Sequence, residues 1–397
     1  MGKLNRREFL VTASAATLAA AAARSQVASP TQRVFIGSGT PDGILAYDWN
    51  PLTAELTPAG VAARIPNVDW ITFSTDRKYL FVASEVDSFN GKATGEVASF
   101  SVIRGELHLV SAQNSAGPGT CHVALDRGGR VLLAADYGGG SAASFWVGSG
   151  GQLGPAVTVR HYKGSGPNTE RQQSAHAHFA SFSPDDCFAY INDLGGDAIH
   201  IYKTDRHTDK ISPPPGLKGP TVIQRTVSAV LNPAGEYKAE PGSGPRTLHF
   251  HPNGHTAYSV NELNSTVDVL EWSKEDGSLT LVTRIDLLPE GYDGPTRACD
   301  TVISANGKFV YFANRDNNFL YSFSAEFETG KLTPMGRTSC GGKTPRNFVL
   351  DPTEQWMLVA NQDSNSISVF KRDAETGVLA EQGKSFAAAA PMRILFS

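Results

Sequence analysis

Polar residues recur at two fixed places in a repeated pattern, just before one short apolar segment and just after the next. Those before the first segment are largely arginine or histidine, and those after the second are largely acidic. A carboxylate or an imidazole can act as a general base, and arginine can bind an anion and stabilise a developing oxyanion. These residue types favour hydrolysis of an activated ester, or proton transfer on a carboxylated substrate. The first set is Asp69, Cys121, His176, His178, Arg246, Arg297, Arg346 and Arg393. The second set is Glu85, Asp136, Asp193, Glu262, Arg315 and Gln362.

The repeat predicts the elements that hold these residues. A polar turn followed by an apolar segment reads STDRKYLFVASE, HPNGHTAYSVNEL and SANGKFVYFANRD in three copies, and a further apolar segment follows each. Six copies are complete, and a seventh is divided between residues 33–47 and 391–396. Four-stranded units at a period of about 45–50 residues are typical of propeller blades. The sequence therefore predicts an all-β, seven-bladed propeller with four antiparallel strands per blade, closed by the C-terminal strand joining the N-terminal blade. A pair of β-sandwich domains, the alternative, would not account for one motif repeated around the chain.

The predicted topology brings the two polar sets together. In an antiparallel blade, the chain enters the innermost strand and leaves the second strand at the same end. We therefore expect both sets to surround one mouth of the central channel, although some arginines could instead form ion pairs between blades. Two stretches interrupt the period, at residues 161–174 and from about 205 to 244. Such insertions map to loops, often on the binding face.

Short segments at these positions resemble one family. They read QSAHAH at 173–178, DLG at 193–195, GPR at 244–246, NELNSTV at 261–267, NR at 314–315 and PRNF at 345–348. Together, from about residue 32 to 397, they resemble the lactonase family of seven-bladed propellers, which includes bacterial 6-phosphogluconolactonases and fungal carboxy-cis,cis-muconate cyclases. The sequence departs from the family at Thr247, where a histidine is usual. The resemblance implies a catalytic set of His176, Arg246, Glu262 and Arg315. Further residues expected to bind substrate are His178, Asp193, Arg297, Arg346 and Asn347.

The resemblance implies hydrolysis of a sugar lactone as the leading hypothesis. Glu262 or His176 would activate water, while Arg246 and Arg315 would hold anionic groups. A muconate-type cycloisomerase and a non-catalytic binding propeller of the cell envelope are the alternatives. We expect a small-molecule partner, no cofactor and no metal, because the spacing of His176 and His178 is not a zinc pattern.

Composition and the N-terminus bear on location. The chain has 397 residues, 19% of them charged, and a net charge of −4 with no basic run, which disfavours nucleic acid as a partner. Residues 5–10 read NRREFL and an Ala-rich stretch follows to residue 23, a twin-arginine pattern. We therefore predict a signal peptide over residues 1–28 and a propeller domain over 32–397. The protein is expected to be periplasmic or secreted, with the twin-arginine export machinery as a partner and no stable membrane anchor. The four cysteines, far apart in sequence, are expected to be small buried side chains.

Overall fold

The computed structural model describes residues 31–211 and 222–397, so the predicted signal peptide lies outside the described residues. In those two ranges the chain forms no helix, and hence none that could cross a membrane. It forms 28 β-strands in seven four-stranded antiparallel sheets. The predicted seven-bladed β-propeller is therefore confirmed.

The strands fall into blades in chain order, and blade 1 also receives the last strand. Blade 1 contains β1 (Gln32–Ser38), β2 (Ile44–Asn50) and β3 (Glu55–Ala63). Blade 2 contains β4 (Val68–Phe73), β5 (Tyr79–Ser84), β6 (Glu96–Ile103) and β7 (Glu106–Asn114). Blade 3 contains β8 (Thr120–Leu125), β9 (Val131–Asp136), β10 (Ser141–Val147) and β11 (Leu153–His161). Blade 4 contains β12 (Ala177–Phe182), β13 (Phe188–Asp193), β14 (Ala198–Ile211) and β15 (Val222–Lys238). Blade 5 contains β16 (Pro245–Phe250), β17 (Thr256–Asn261), β18 (Thr266–Trp272) and β19 (Leu279–Asp286). Blade 6 contains β20 (Ala298–Ile303), β21 (Phe309–Asn314), β22 (Phe319–Ala325) and β23 (Leu332–Ser339). Blade 7 contains β24 (Pro345–Leu350), β25 (Trp356–Asn361), β26 (Ser366–Arg372) and β27 (Leu379–Ala387). The closing strand is β28 (Pro391–Phe396).

The C-terminal strand closes the ring. β28 pairs antiparallel with β1, with Val34 opposite Phe396 and Ile36 opposite Ile394. It is the innermost strand of blade 1 and contacts the innermost strands of blades 2 and 7. Closure in this way gives blade 1 its fourth strand and pairs the inner edge of β1.

Apolar side chains between neighbouring blades form the core. The second strand of each blade is almost fully buried, as in β9, β13, β17 and β21, whereas the outermost strands are largely exposed. This gradient arises because inner strands are covered by blades on both faces, while the outermost strands lie at the rim.

The two insertions differ. His161 ends β11, and the rest of the first insertion, residues 162–174, forms a loop leading into β12, as predicted. The second insertion was expected to be a loop, but its described ends extend β14 and β15, which stay paired from Ala198 opposite Lys238 to Ile211 opposite Val222. Backbone pairing between two long antiparallel strands, interrupted by register shifts at Ile201/Tyr202 and Thr204/Arg206, satisfies most of their amide groups without requiring a repeat of the blade pattern.

Candidate active site

The upper mouth of the channel, where the first strands begin and the second strands end, has a common construction. In five blades the inner strand carries a β-bulge between its first and third residues, and in blade 6 the bulge lies between Ala298 and Thr301, the first and fourth residues of β20. The polar residue that ends the second strand lies opposite the first residue of the inner strand, as Asp193 does opposite Ala177. These strand-ending residues are buried: Ser84, Asp136, Asp193, Asn261, Asn314 and Asn361. The next residue along the chain, Tyr137, Glu262 or Arg315 in three of the blades, supplies the cluster described below.

Glu262 is the centre of the cluster. Its carboxylate is fully buried, and three guanidinium groups surround it. Arg246 Nη1 lies 2.5 Å from Oε2, and Nη2 atoms of Arg315 and Arg171 each lie 2.8 Å from Oε1. Burial alone would raise the pKa of Glu262, but the charges of Arg315 and Arg246 outweigh it and hold the pKa well below its usual range. Glu262 is therefore a permanent anion that fixes three arginines in place.

The arginines around Glu262 differ in how many of their donors have partners. Arg246 also donates from Nε to the Cys299 carbonyl at 3.0 Å, and its Nη1 contacts Nε2 of the buried His178. Arg315 is equally buried, yet its Nε has no hydrogen-bond partner among the described residues. Burial lowers the pKa of Arg315 to about 10, although Glu262 opposes this. Arg315 is thus an incompletely neutralised cation with a donor available to an anionic group.

His176 lies beside this cluster, immediately before β12. Its ring stacks on Tyr137 with centroids 4.3 Å apart, and its Nδ1 lies 2.8 Å from the Tyr137 carbonyl oxygen. A carbonyl can only accept, so Nδ1 carries the proton and Nε2 of the neutral ring keeps its lone pair. The Tyr137 hydroxyl accepts from Arg171 at 3.0 Å and so joins His176 to the Glu262 cluster. His176 is therefore fixed in the tautomer suited to a general base.

The first insertion supplies Arg171. Gln172, next to it, is buried, and its side-chain amide donates to the Leu194 carbonyl and to Asp197 at 2.9 and 2.7 Å. Oδ1 of Asn168, at the start of a turn, accepts the backbone amide of Arg171 at 3.1 Å. These contacts hold the loop against blade 4 and place Arg171 at Glu262. Neither Arg171 nor Tyr137 was identified from the sequence, although the insertion itself was expected on the binding face.

The predicted substrate-binding residues divide into two groups. His178 joins the cluster through Arg246. The others are occupied elsewhere. Asp193 Oδ1 accepts the backbone amides of His176 and Gly195, and Asn347 is buried between Asp300 and the Ile394 amide.

Two further arginines predicted at the mouth of the channel, Arg297 and Arg346, have carboxylate partners of their own. Arg297 lies before β20 and holds Asp316 through Nε and Nη2 at 2.9 and 2.5 Å from Oδ1. Arg346 Nη2 lies 2.8 Å from Asp69 Oδ1. The Arg346–Asp69 pair joins blades 7 and 2, as the sequence left open, whereas the Arg297–Asp316 pair lies within blade 6.

Arg393 was expected at the upper mouth, but it lies deeper in the channel. It is the third residue of β28 and its guanidinium covers the Trp70 ring at 3.9 Å from the centroid. The second residue, Met392, takes the position that corresponds to Arg246 in β16. A shift of one residue along a strand turns a side chain to the opposite side, which accounts for the difference.

Glu85 follows β5 at the upper mouth and is only partly buried. No hydrogen bond or ion pair to its carboxylate occurs among residues 31–211 and 222–397. Burial and the neighbouring charge of Asp69 raise the pKa of Glu85 to about 7, against opposition from Arg346 and Arg246. The mouth therefore combines a fixed anion at Glu262 with a carboxyl that titrates near neutrality.

Comparison with known proteins agrees with this architecture. The sequence profile described as "Lactonase, 7-bladed beta-propeller" matches residues 26–396. The chain belongs to this lactonase family.

Members of the lactonase family with known names are similar over most of their length. A 6-phosphogluconolactonase of Bacillus subtilis (strain 168) is 28% identical over 320 residues, which cover 81% of this chain and 84% of the relative. A 6-phosphogluconolactonase of Formosa agariphila is 31% identical over 334 residues, covering 82% and 88%. The structure of a periplasmic gluconolactonase from Pseudomonas aeruginosa superposes with a TM-score of 0.79 and 29% identity, covering 92% of this chain and 98% of that one.

Thr247, where the lactonase family usually has histidine, is buried beside Arg246. Its hydroxyl has no hydrogen-bond partner among the described residues. It lines a small cavity of about 20 Å³ in the middle of the channel, together with His178 and Cys299.

Proposed function

We propose that this protein hydrolyses a sugar lactone at the upper mouth of the channel. The observation that carries the proposal is the pairing of a histidine whose Nε2 is available with a buried arginine whose Nε has no partner. The first can accept a proton and the second can bind developing negative charge. Similarity to named lactonases supports the same reaction class.

The reaction needs one base and one anion-binding group. Nε2 of His176 removes a proton from water as the water oxygen bonds to the lactone carbonyl carbon. The carbonyl oxygen becomes an oxyanion stabilised by Arg315 and Arg246. When this intermediate collapses, the ring C–O bond breaks, and the proton returns to the leaving alkoxide to give the open-chain hydroxy acid.

Glu262 serves this scheme as a positioning residue. A carboxylate that three arginines hold ionised is a weak base, because protonating it would leave those charges uncompensated. This argument favours His176 over Glu262, the two candidates that the sequence left open. Glu262 instead sets the spacing of Arg171, Arg246 and Arg315 around the substrate.

An unphosphorylated sugar lactone is the substrate we favour. Arg297 and Arg346, the further cations that could have held a phosphate, are already paired with Asp316 and Asp69. The twin-arginine pattern at residues 5–10 predicts export, and a periplasmic relative carries the name gluconolactonase. An exported enzyme would rarely meet a sugar phosphate made in the cytosol.

A hydrolysis panel tests the proposal. D-glucono-1,5-lactone and its 6-phosphate are compared, with the spontaneous rate subtracted, in the wild-type protein and in His176→Gln. We expect faster turnover of the unphosphorylated lactone and a loss of at least hundredfold in the variant. His108→Gln is the matched control, because this exposed histidine lies on the outer strand β7. Equal activity of His176→Gln and His108→Gln would refute the assignment of the base.

Two other results would redirect the proposal. Conversion of a carboxymuconate without lactone hydrolysis would identify a cycloisomerase that uses the same residues for proton transfer to carbon. No turnover of any lactone, together with capture of an envelope component, would identify a binding propeller.

A further inference from the structure

A second cavity lies at the opposite end of the channel. Its volume is about 510 Å³, within the range of small-molecule sites. It is lined by the turns between first and second strands, such as Ser183 with Pro184 and His251 with Pro252, so it opens away from the Glu262 cluster. We call it the lower cavity. Nothing in the lactone reaction uses it.

Side chains at the third position of the inner strands contribute one wall of the lower cavity. Trp70, His122 and Phe179 pack ring to ring, with centroids 4.2 Å apart for the first pair and 3.9 Å for the second. Arg393 covers the other end of this row, on Trp70. The wall is a row of tilted aromatic rings with one cation at its end.

His122 presents an unused donor to this cavity. The residue is 4% exposed, and its Nδ1 accepts the Ala180 amide at 3.3 Å. In the neutral ring the proton is therefore on Nε2, which has no partner among the described residues. Burial and the charge of Arg393 lower the pKa of His122 well below its usual value, which keeps the ring neutral. A ligand acceptor atom would satisfy this buried N–H.

Arg393 is an incompletely compensated cation at the same wall. Its nearest carboxylate is Asp300, at 3.9 Å from Nη1. Asp300 is already shared, because it accepts from His249 at 3.2 Å and from Asn347 at 2.7 Å. Nε of Arg393 has no partner within residues 31–211 and 222–397, and neither does the hydroxyl of Ser181 in the same lining. His122, Arg393 and Ser181, each with a donor that has no partner among the described residues, thus all belong to the lining of the lower cavity.

We infer that the lower cavity binds a small carboxylate with a flat apolar body, such as an aromatic acid. The carboxylate would accept from His122 Nε2 and Arg393, and the body would lie against Phe179, Leu248 and Phe250. The aromatic wall favours a planar apolar body over a sugar, because aromatic rings cannot accept or donate the hydrogen bonds that sugar hydroxyls need. The site is therefore distinct from the lactone site in both place and chemistry.

Calorimetric titration of the protein with 2-naphthoate tests the inference. We expect saturable one-to-one binding, with 2-naphthalenemethanol and D-gluconate at least tenfold weaker. Arg393→Met should weaken 2-naphthoate binding at least tenfold. Arg171→Ala, at the upper mouth, and Arg64→Met, at an exposed arginine, should leave it unchanged.

A second variant guards against loss of folding in Arg393→Met. Ala124→Phe fills the lower cavity without touching Arg393 and should also abolish binding. Thermal unfolding of each variant shows whether it is folded. The inference is overturned if 2-naphthoate fails to bind the wild type at millimolar concentration, or binds both folded variants as tightly. Loss of binding in Arg171→Ala would assign the ligand to the upper mouth instead.

Discussion

Replacing Glu85 by glutamine should stabilise the protein at alkaline pH and have little effect at acid pH. Burial and Asp69 raise the pKa of Glu85 to about 7 from its ordinary value of 4.5, with a smaller contribution from Asp87. Arg346 and Arg246 act in the opposite direction. Between these two pKa values the folded chain binds more protons at Glu85 than the unfolded chain does. The free energy of unfolding therefore falls as the pH rises through this window.

The size of the effect follows from the two pKa values. The difference corresponds to at most about 3 kcal/mol once Glu85 is ionised in both states, above pH 7. Glu85 is partly exposed, so solvent screening reduces the expected value to about 1–2 kcal/mol. Below pH 4.5 the side chain is protonated in both states, and the glutamine variant gains nothing from the loss of charge.

Urea unfolding at pH 5 and pH 8 measures the difference. Glu85→Gln should be more stable than the wild type by about 1–2 kcal/mol at pH 8 and by about 0.5 kcal/mol or less at pH 5. Glu271→Gln, at an exposed glutamate on β18, serves as the control and should show no such dependence on pH. The same change in stability at both pH values would show that the carboxyl of Glu85 does not titrate near neutrality.

Three further outcomes follow from the contacts of the upper mouth. Arg171→Ala should lower kcat/KM by about tenfold to hundredfold, since it removes a charge-assisted bond to Glu262. Its melting temperature should stay close to that of Arg64→Ala, and wild-type kinetics would contradict its placement in the site. Glu262→Gln should lower the free energy of unfolding in urea by about 3–5 kcal/mol, because it leaves buried arginines without their anion. A decrease below about 1 kcal/mol would refute the role of Glu262 as their buried counter-ion. Thr247→Val should leave stability unchanged or raise it by up to about 1 kcal/mol, because the lost hydroxyl has no partner; a clear loss in thermal unfolding would reveal a hydrogen bond at this position.

The fold could be predicted from the sequence because each blade repeats the same burial requirements. The split seventh unit was also predictable, since residues 391–396 supply the inner strand missing before residue 33. The hairpin of β14 and β15 was not. Its long strands pair through backbone groups, which leave no periodic signature when they extend past the blade.

The site was predicted less completely, because the largely acidic residues of the second set do not occupy one position of the repeat. Asp136 and Asp193 are the last residues of their strands, whereas Glu262 and Arg315 come one residue after the strand end, and neighbouring residues of a strand point to opposite sides. Asp136 and Asp193 end their strands and are buried, whereas the residue after Asp136 is the Tyr137 of the cluster. Arg171 lies in an insertion, where no repeat exists to align it. His176, Arg246, Glu262 and Arg315 were predicted by the repeat and by the family resemblance alike; in the structure Arg246 and Arg315 contact Glu262, and Tyr137 and Arg171 link His176 to it.

The closing strand shows why the two ends of one channel carry different chemistry. Arg346 of β24 reaches Asp69 of β4 across the inner strand of blade 1, and the second residue of that strand is the uncharged Met392. A charged side chain there would compete with this ion pair, so β28 adds no charge to the upper mouth. Its next residue, Arg393, turns instead to the lower cavity. In β12 the second residue, His178, contacts Arg246 of the upper cluster and the third, Phe179, lines the lower cavity, so substitutions one residue apart there should affect separate ligands.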